Sequence, residues 1–213
     1  MKKLVIFLMT ILSLFSFAQK VKPKNLDKSS KEILEIKKFQ DELNKEYLTK
    51  DETPLRGDNF KNFKQHPFFP IDLKYRIKAK FVKNENPEPF DWPTSSGKSK
   101  PYQEYGKAVF NFNGKVYTLS IYQSLDLMKS EKYKDHLFLP FRDETNQKET
   151  YGGGKYMDLK IPNADEIVLD FNYSYQPYCA YNAYDYSCPI VPEENKLPFE
   201  VRAGVMYDDV YHH

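Results

Sequence analysis

The sequence predicts a mainly β protein, α+β by count: an antiparallel barrel or sandwich of about seven strands with one N-terminal amphipathic helix packed on it. Three observations predict this fold class. Apolar and basic residues alternate strictly through residues 73–81, an Asn-Gly pair at Asn113-Gly114 joins two β-rich runs, and helical periodicity is confined to one segment near the N-terminus. The 213 residues fit a single domain, which we expect at residues 29–207.

Residues 1–18 have the organisation of a cleavable signal peptide. A basic pair, Lys2-Lys3, precedes an apolar run at residues 4–17, and Ala18 ends a Ser-Phe-Ala cleavage site. An uncleaved membrane anchor is the weaker alternative, because the run is shorter than the roughly 20 residues that span a bilayer as a helix. We therefore expect a periplasmic or secreted protein that keeps no stable membrane span after cleavage.

The segment that follows the signal peptide is a tether and then a helix. Residues 19–28 are rich in lysine and show no periodicity, so we expect them to be flexible. Apolar residues recur at helical spacing through residues 30–48, and Ser29 with Glu32 has the spacing of a capping box. The polar face of this helix mixes both charge signs, which favours packing on the sheet over binding to an anionic membrane surface.

Turn-forming residues separate the predicted strands. Residues 84–101 form a loop rich in Pro, Ser and Gly, in which Trp92 is either a packing plug or an exposed stacking surface. The Asn113-Gly114 pair predicts a type I′ hairpin, and Pro140 predicts that its strand lies at an edge or a bulge. The predicted strands are residues 73–81, 106–112, 115–122, 137–141, 155–161, 166–172 and 199–206.

Composition and motifs exclude several classes of function. The formal net charge is only +2 and the lysines are scattered, so no nucleic-acid partner is expected. None of the four histidines has the spacing of a metal ligand, and no G-x-S-x-G motif of a serine esterase occurs. We predict no metal site, and no motif indicates a cofactor. Aromatic residues make up 16% of the chain, which predicts an aromatic core.

Residues 137–195 hold most of the unusual chemistry of the chain. This stretch contains the glycine run, both cysteines and six tyrosines within fourteen residues. In an exported chain, Cys179 and Cys188 are expected to form a disulfide that closes a ten-residue loop. The alternative, half of a metal site, is weaker because zinc ligands normally come in closely spaced pairs and no histidine lies nearby.

The motifs of this stretch resemble a known family, the bacterial domain of unknown function 1684. TYGGGKYMDL, LDFN, PYCAYN, SCP and PEENKLP follow one another in the order of the family, within a resemblance that covers residues 53–205. Two positions depart from the family pattern: Lys155 replaces the usual Arg, and Val205 replaces a usual acidic residue. The first change removes a bidentate contact to an anion, because Lys binds as a point charge. The resemblance implies a fold but no activity.

Our first hypothesis is a non-enzymatic ligand-binding or structural β-domain with a Tyr- and Gly-rich site near the disulfide loop. Glycines let a backbone approach a ligand closely, Lys155 can neutralise an anion, and tyrosines stack on sugar rings or other flat molecules. The alternatives are a tight turn at the glycines, a small tyrosine core, and asparagines that bond loop backbone. The ligand would be a small molecule or carbohydrate. The candidate binding residues are Tyr151, Gly152, Gly153, Gly154, Lys155, Asn172, Tyr178, Tyr181 and Asn195.

The second hypothesis is a hydrolase-like enzyme. Asp143, Asp158 and Asp170 lie at or near strand ends, where a close pair of carboxyl groups can act as acid and base together with Lys155. The structural alternative is that Asp143 and Asp158 cap turns, while Asp170 forms an ion pair with Lys155 or Arg142.

Overall fold

The computed structural model describes residues 28–208, 210 and 211, so the predicted signal peptide and residues 19–27 of the predicted tether lie outside the described residues. The chain forms one seven-stranded antiparallel sheet that curls into a half-barrel, as the alternation and the hairpin predict. Its order is β6-β5-β4-β3-β1-β7, and β2 pairs with β3. The strands are β1 Arg76–Lys83, β2 Pro89–Pro93, β3 Ser99–Phe112, β4 Lys115–Ser124, β5 His136–Phe141, β6 Lys155–Lys160 and β7 Glu166–Asp170.

Among the described residues, two α-helices precede the sheet. The long one, α1, covers Lys28–Leu48, so the predicted amphipathic helix is present and begins inside the predicted tether. The short one, α2, covers Gly57–Asn62. Leu43 and Tyr47 of α1 pack into a mainly aromatic cluster with the following loop and with Tyr181. Helix α1 also reaches the sheet, since Glu32 forms an ion pair with Arg76 at 3.1 Å.

The β3-β4 hairpin has the predicted geometry. Asn113 has a φ of 51° and Gly114 a φ of 80°, the pair of positive values that a type I′ turn requires. The turn fixes the register, because Phe112 then faces Lys115 and the pairing runs back toward Tyr102 opposite Ser124.

Three sequence predictions about strands are wrong. Residues 199–206 form no strand: Val201, Ala203 and Val205 alternate as buried residues, but the backbone there bonds to loop segments, as Phe69 N–H does to Gly204 O. The predicted loop at 84–101 contains β2 and the start of β3. The prolines at both ends of β2 led to the prediction of a loop, although proline is tolerated at a strand boundary.

The third error is the edge position, one of the two alternatives predicted for the strand with Pro140, because β5 lies inside the sheet. Pro140 cannot donate a ladder hydrogen bond, and β5 pairs with β4 in register only at Tyr122 and Phe138. The side chain of Asn195 forms hydrogen bonds with backbone groups of both strands where the ladder is interrupted. Its Nδ2 donates to Ser120 O at 2.8 Å and Pro140 O at 2.7 Å, and its Oδ1 accepts from Ser120 N–H at 2.7 Å.

Two cores lie on opposite faces of β5 and β6. Leu137, Leu139 and Met157 face the main core inside the curled sheet. Phe138 and Tyr156 face a second, aromatic cluster that is covered by the loop containing both cysteines. Trp92 is the packing plug of this second cluster, since it is 3% exposed and its Nε1 donates to Ile190 O at 2.7 Å.

Candidate functional site

A tyrosine-lined groove lies over the second cluster. Strands β5 and β6 contribute Phe138 and Asp158, helix α1 contributes Phe39 and Glu46, and the cysteine loop contributes further residues. Its volume is about 770 Å³, against about 450 and 330 Å³ for two other cavities. This size falls within the usual range of small-molecule sites. The tyrosines that line it are Tyr102, Tyr133, Tyr156, Tyr175, Tyr178 and Tyr186.

The rings are held in place by edge-on contacts between aromatic side chains. Tyr178 and Tyr186 pack edge to face with centroids 4.9 Å apart, and Phe138 and Tyr156 do so at 4.7 Å. Tyr178 Oη also donates to Glu46, which ties the cysteine loop to α1. Contacts of this type stabilise one arrangement of the rings, so the groove is largely preformed.

A hydrogen-bonded trio lies where the groove meets the 450 Å³ cavity. Asp158 Oδ1 accepts a hydrogen bond from Tyr175 Oη at 3.0 Å and lies 3.0 Å from His136 Nε2. Tyr133, His136 and Asp158 line both spaces, and the smaller cavity also exposes Arg76 and Asp170. The site therefore has an imidazole and a carboxylate in contact beside the ring-lined space.

The hydroxyls of Tyr102, Tyr175 and Tyr178 stay protonated at neutral pH because the pKa of each is raised. Burial is the main cause that raises the pKa of Tyr175 well above 10, and the neighbouring Asp158 adds to it. Burial and the hydrogen bond to Glu46 likewise raise the pKa of Tyr178. Burial raises the pKa of Tyr102 to about 12. These groups act as hydrogen-bond donors rather than as bases.

Lys155, predicted both as a binding and as a catalytic residue, is completely buried away from the groove. Its Nζ lies 3.0 Å from Asp143 Oδ2 and donates to Val201 O at 2.6 Å. Asp143 Oδ1 in turn accepts from the N–H groups of Thr145 and Val201. Burial lowers the pKa of Lys155, while Asp143 raises it. This ion pair connects three backbone segments, which is a structural task.

The glycine run forms a tight turn, the simpler of the two interpretations that the sequence allowed. Gly154 has a φ of +101°, and an added Cβ would lie 2.8 Å from Phe141 O and 2.6 Å from Val191 Cγ2. The turn delivers Lys155 into the main core rather than presenting a backbone cradle to a ligand.

The predicted asparagines also bind backbone. Asn172 is 1% exposed, accepts from Asp72 N–H at 3.2 Å and donates to Asp72 O at 3.1 Å. Its neighbour Asp170 pairs with Arg76 at 2.8 Å, so the predicted pairing with Lys155 or Arg142 is replaced by one across β1 and β7. Asn195 forms the hydrogen bonds with β4 and β5 described above.

The predicted tyrosines divide between the groove and the interior. Tyr178 lines the groove. Tyr181 is 2% exposed and lies in the aromatic cluster of α1, with its Oη 3.3 Å from Nδ1 of the buried His66. Tyr151 packs at the side of the same cluster against Tyr207, with ring centroids 5.3 Å apart.

The polar groove residues that sequence reasoning missed include His136, Lys98 and Lys100. His136 directly precedes the apolar residues of β5 and pairs in register with Lys160, a position that the strand pattern alone leaves without a role. Lys98 and Lys100 fell in a segment predicted as loop. Within the described residues, no group of three His, Cys, Asp or Glu side chains is arranged to hold a metal ion. No helix there is long and apolar enough to cross a membrane.

Comparison with known proteins identifies the family. The family described as "Protein of unknown function (DUF1684)" matches residues 61–206. The chain belongs to this family. It is also similar to an uncharacterised protein of Haloarcula marismortui whose structure was solved by NMR in solution. The two share 30% identity and a TM-score of 0.67, over 88% of this chain and all of the other. No curated protein matches the DUF1684 chain.

Proposed function

We propose that this DUF1684 protein is an exported, non-enzymatic binding protein that holds a small, ring-containing ligand such as a carbohydrate in the tyrosine-lined groove. One observation carries the proposal: six tyrosines line a space of about 770 Å³ that is open to solvent on one side. Aromatic faces bind sugar rings and other flat molecules, and the phenol hydroxyls supply directional hydrogen bonds.

The proposed site keeps the tyrosine-based binding predicted from the sequence, but most of its residues differ from those predicted. Tyr178 remains a binding residue and gains Tyr186 as its neighbour. Lys155, the charged residue beside the glycine turn, is paired inside the core, whereas the groove combines rings with the partly exposed Asp158. The groove is thus the place where a ligand meets both stacking and hydrogen-bonding groups.

Ligand binding can be followed through Trp92. It is the single tryptophan of the chain, and its ring centroid lies 4.9 Å from that of Tyr102, which lines the groove. Maltotriose, chitotriose and trigalacturonate are suitable first probes, together with native mass spectra of the protein taken from its own host. We expect a saturable change in fluorescence with at least one probe, or a bound mass lost on denaturation.

Substitution then tests the site. Tyr178→Ala and Tyr186→Ala should each weaken binding by about threefold to tenfold, since a packed aromatic contact contributes about 0.5 to 1.5 kcal/mol. Tyr184→Ala is the matched control, because Tyr184 is 82% exposed and does not line the groove. Unchanged affinity in both groove variants, or equal loss in the control, would refute the proposal.

Export and a disulfide remain part of the proposal. In the structure Cys179 and Cys188 are free, buried thiols, and Cys179 N–H donates to Cys188 Sγ at 3.3 Å. Contact with Cys188 is the main cause that lowers the pKa of Cys179, and the same contact raises that of Cys188. In an oxidising compartment the Cys179 thiolate attacks an external disulfide, whose S–S bond breaks and releases one thiolate. Cys188 then displaces the second external thiolate as the Cys179–Cys188 bond forms, so the external disulfide is the two-electron oxidant. The denatured mass of the exported protein should lack residues 1–18 and two hydrogens.

A hydrolase is the second candidate, favoured by the contact between His136 and Asp158. Among the described residues His136 Nδ1 is buried without a hydrogen-bond partner, and Asp158 Oδ1 contacts Nε2 and orients the ring. Lys155 is too deeply buried to take part. Turnover of 4-nitrophenyl glycosides or esters that is abolished by Asp158→Asn would support this candidate. Activity unchanged by that substitution would exclude this dyad.

A further inference from the structure

Two lysines line the groove: Lys98, which directly precedes strand β3, and Lys100, which lies within it. Lys100 pairs in register with the buried Trp92, and Tyr102 follows two residues later. Residues opposite each other, and residues two apart, share one face of a sheet. Lys100 therefore lies on the face that carries the aromatic cluster and not on the face that only meets solvent. Lys98 lines the same groove.

The turn that carries these lysines is well fixed. Thr94 N–H donates to Lys98 O at 2.8 Å, and Thr94 Oγ1 donates to the same carbonyl at 2.7 Å. The hydroxyl of Ser187, another residue of the groove, lies 2.5 Å from Thr94 Oγ1. The cysteine loop and the lysine-bearing turn are thereby joined, so the lysine backbone is held at a constant place beside the groove.

The carboxylates of the groove have hydrogen-bond or ion-pair partners in the protein, and its two lysines form no ion pair among the described residues. Asp158 is bonded by His136 and Tyr175, and Glu46 by Tyr178. Asp185 is paired with Arg56 and bonded by Asn182. By contrast, within residues 28–208, 210 and 211 neither Lys98 nor Lys100 forms an ion pair.

The groups left for a ligand are therefore the two ammonium groups. Each carboxylate of the groove already accepts hydrogen bonds from the protein. The lysines keep their full complement of donors. A carboxylate bound between them would be attracted by two point charges at the edge of an aromatic, partly water-excluded space, where the attraction is stronger than in bulk water.

From this geometry we infer that the groove takes an acidic saccharide, with its rings on the tyrosines and a carboxylate on Lys98 and Lys100. The inference rests on the binding function proposed above and names its ligand class. A neutral sugar would use the rings alone and leave both ammonium groups unpaired, so the protein should discriminate by charge as well as by shape.

The test compares trigalacturonate with maltotriose, a neutral trisaccharide, by calorimetry and Trp92 fluorescence. We expect the wild-type protein to prefer trigalacturonate by at least about tenfold at low ionic strength, and the preference to shrink as salt screens the charges. The double variant Lys98→Gln/Lys100→Gln should bind both sugars with similar affinity. Its thermal unfolding should match the wild type, because both lysines are exposed and unpaired.

The control is Lys80→Gln/Lys83→Gln, which removes the same charge from two exposed lysines of β1 that do not line the groove. This variant should keep the preference for trigalacturonate. If it loses the preference as fully as the Lys98/Lys100 variant does, net charge alone explains the effect and the inference is wrong.

The remaining outcomes separate the ligand class from the binding function. Equal binding of both sugars by wild type and by the Lys98/Lys100 variant overturns the acidic class but leaves the binding groove. Lysine-dependent binding of 4-hydroxyphenylacetate without binding of either sugar overturns the saccharide and again leaves the groove. Absence of any groove ligand, in the probe panel and in native mass spectra, overturns both.

Discussion

Lys155 and Asp158 are three residues apart on strand β6, yet they belong to different regions of the molecule. Lys155 is fully buried in the main core and paired with Asp143, whereas the Asp158 side chain is 54% exposed at the groove. Successive side chains of a strand point to opposite faces, so Lys155 and Met157 face inward while Tyr156 and Asp158 face the groove. The comparison shows that the position along the strand, odd or even, rather than the residue type, decides whether a polar group lies in the core or at the groove.

The largest expected effect comes from breaking the buried pair. Asp143→Asn keeps an oxygen for the Thr145 and Val201 N–H groups but leaves the Lys155 ammonium without its counter-charge. Loss of one partner of a buried ion pair costs about 3 to 5 kcal/mol. Denaturant unfolding at neutral pH measures this loss in the free energy of unfolding.

The pH dependence and a double variant identify the cause. Without Asp143 the folded-state pKa of Lys155 falls further below its unfolded value, so the unfolded state binds more protons and stability should rise with pH up to about 10. Asp143→Asn/Lys155→Met removes the unpaired charge and should be more stable than Asp143→Asn alone. A double variant that is no more stable would show that the charge is not the reason.

The second expected effect is a pH dependence of stability that comes from His66. Its imidazole is buried among aromatic rings. Burial lowers its pKa to about 3, so between the unfolded value near 6.5 and pH 3 only the unfolded state takes up its proton. Stability should therefore fall by about 1.4 kcal/mol per pH unit as the pH drops from 6 to 4. His66→Phe should remove this slope. Parallel stability curves for wild type and variant would contradict the assignment.

Much of the fold was predictable because its signals are local. The alternation through residues 73–81, most of which lie in β1, the Asn113-Gly114 turn and the helical spacing of α1 each depend on neighbouring residues alone. The errors arose where the partner is distant in sequence. Residues 199–206 alternate like a strand but bond to loops, and β5 lies in the sheet interior, where Asn195 Nδ2 donates to Ser120 O and Pro140 O across the interrupted ladder.

The glycine turn provides the third prediction. Gly154→Ala forces a side chain into a φ of +101° against Phe141 O, whereas Gly114→Ala meets open space at a φ of +80°. Both substitutions incur backbone strain, of about 1 kcal/mol or more, but only the first adds a clash. We expect Gly154→Ala to lower the free energy of unfolding by about 2 kcal/mol more than Gly114→Ala does. Equal losses would mean that the turn relaxes around the new methyl group.

The candidate site was harder to predict than the fold for the same physical reason. Of the residues that the sequence singled out, Tyr178 and Asp158 line the groove. Sequence reasoning could not separate them from Tyr181 and Lys155, because burial of those residues depends on α1 and on the tail at 201–205. Lys98 and Lys100 become recognisable only when the register with Trp92 shows which face they occupy.

The smallest expected effect on stability is that of Asp158→Asn. It tests most directly the difference between the buried Lys155 region and the exposed Asp158 region. Asp158→Asn makes the same chemical change as Asp143→Asn, three residues from Lys155 but on the opposite face. It weakens contacts with His136 and Tyr175 that are open to solvent, so its cost should stay below about 1 kcal/mol. Thermal and denaturant unfolding of the two variants side by side measure the difference. A loss at Asp158 as large as that at Asp143 would mean that the trio stabilises the fold, and a structural role would then explain its geometry without a ligand.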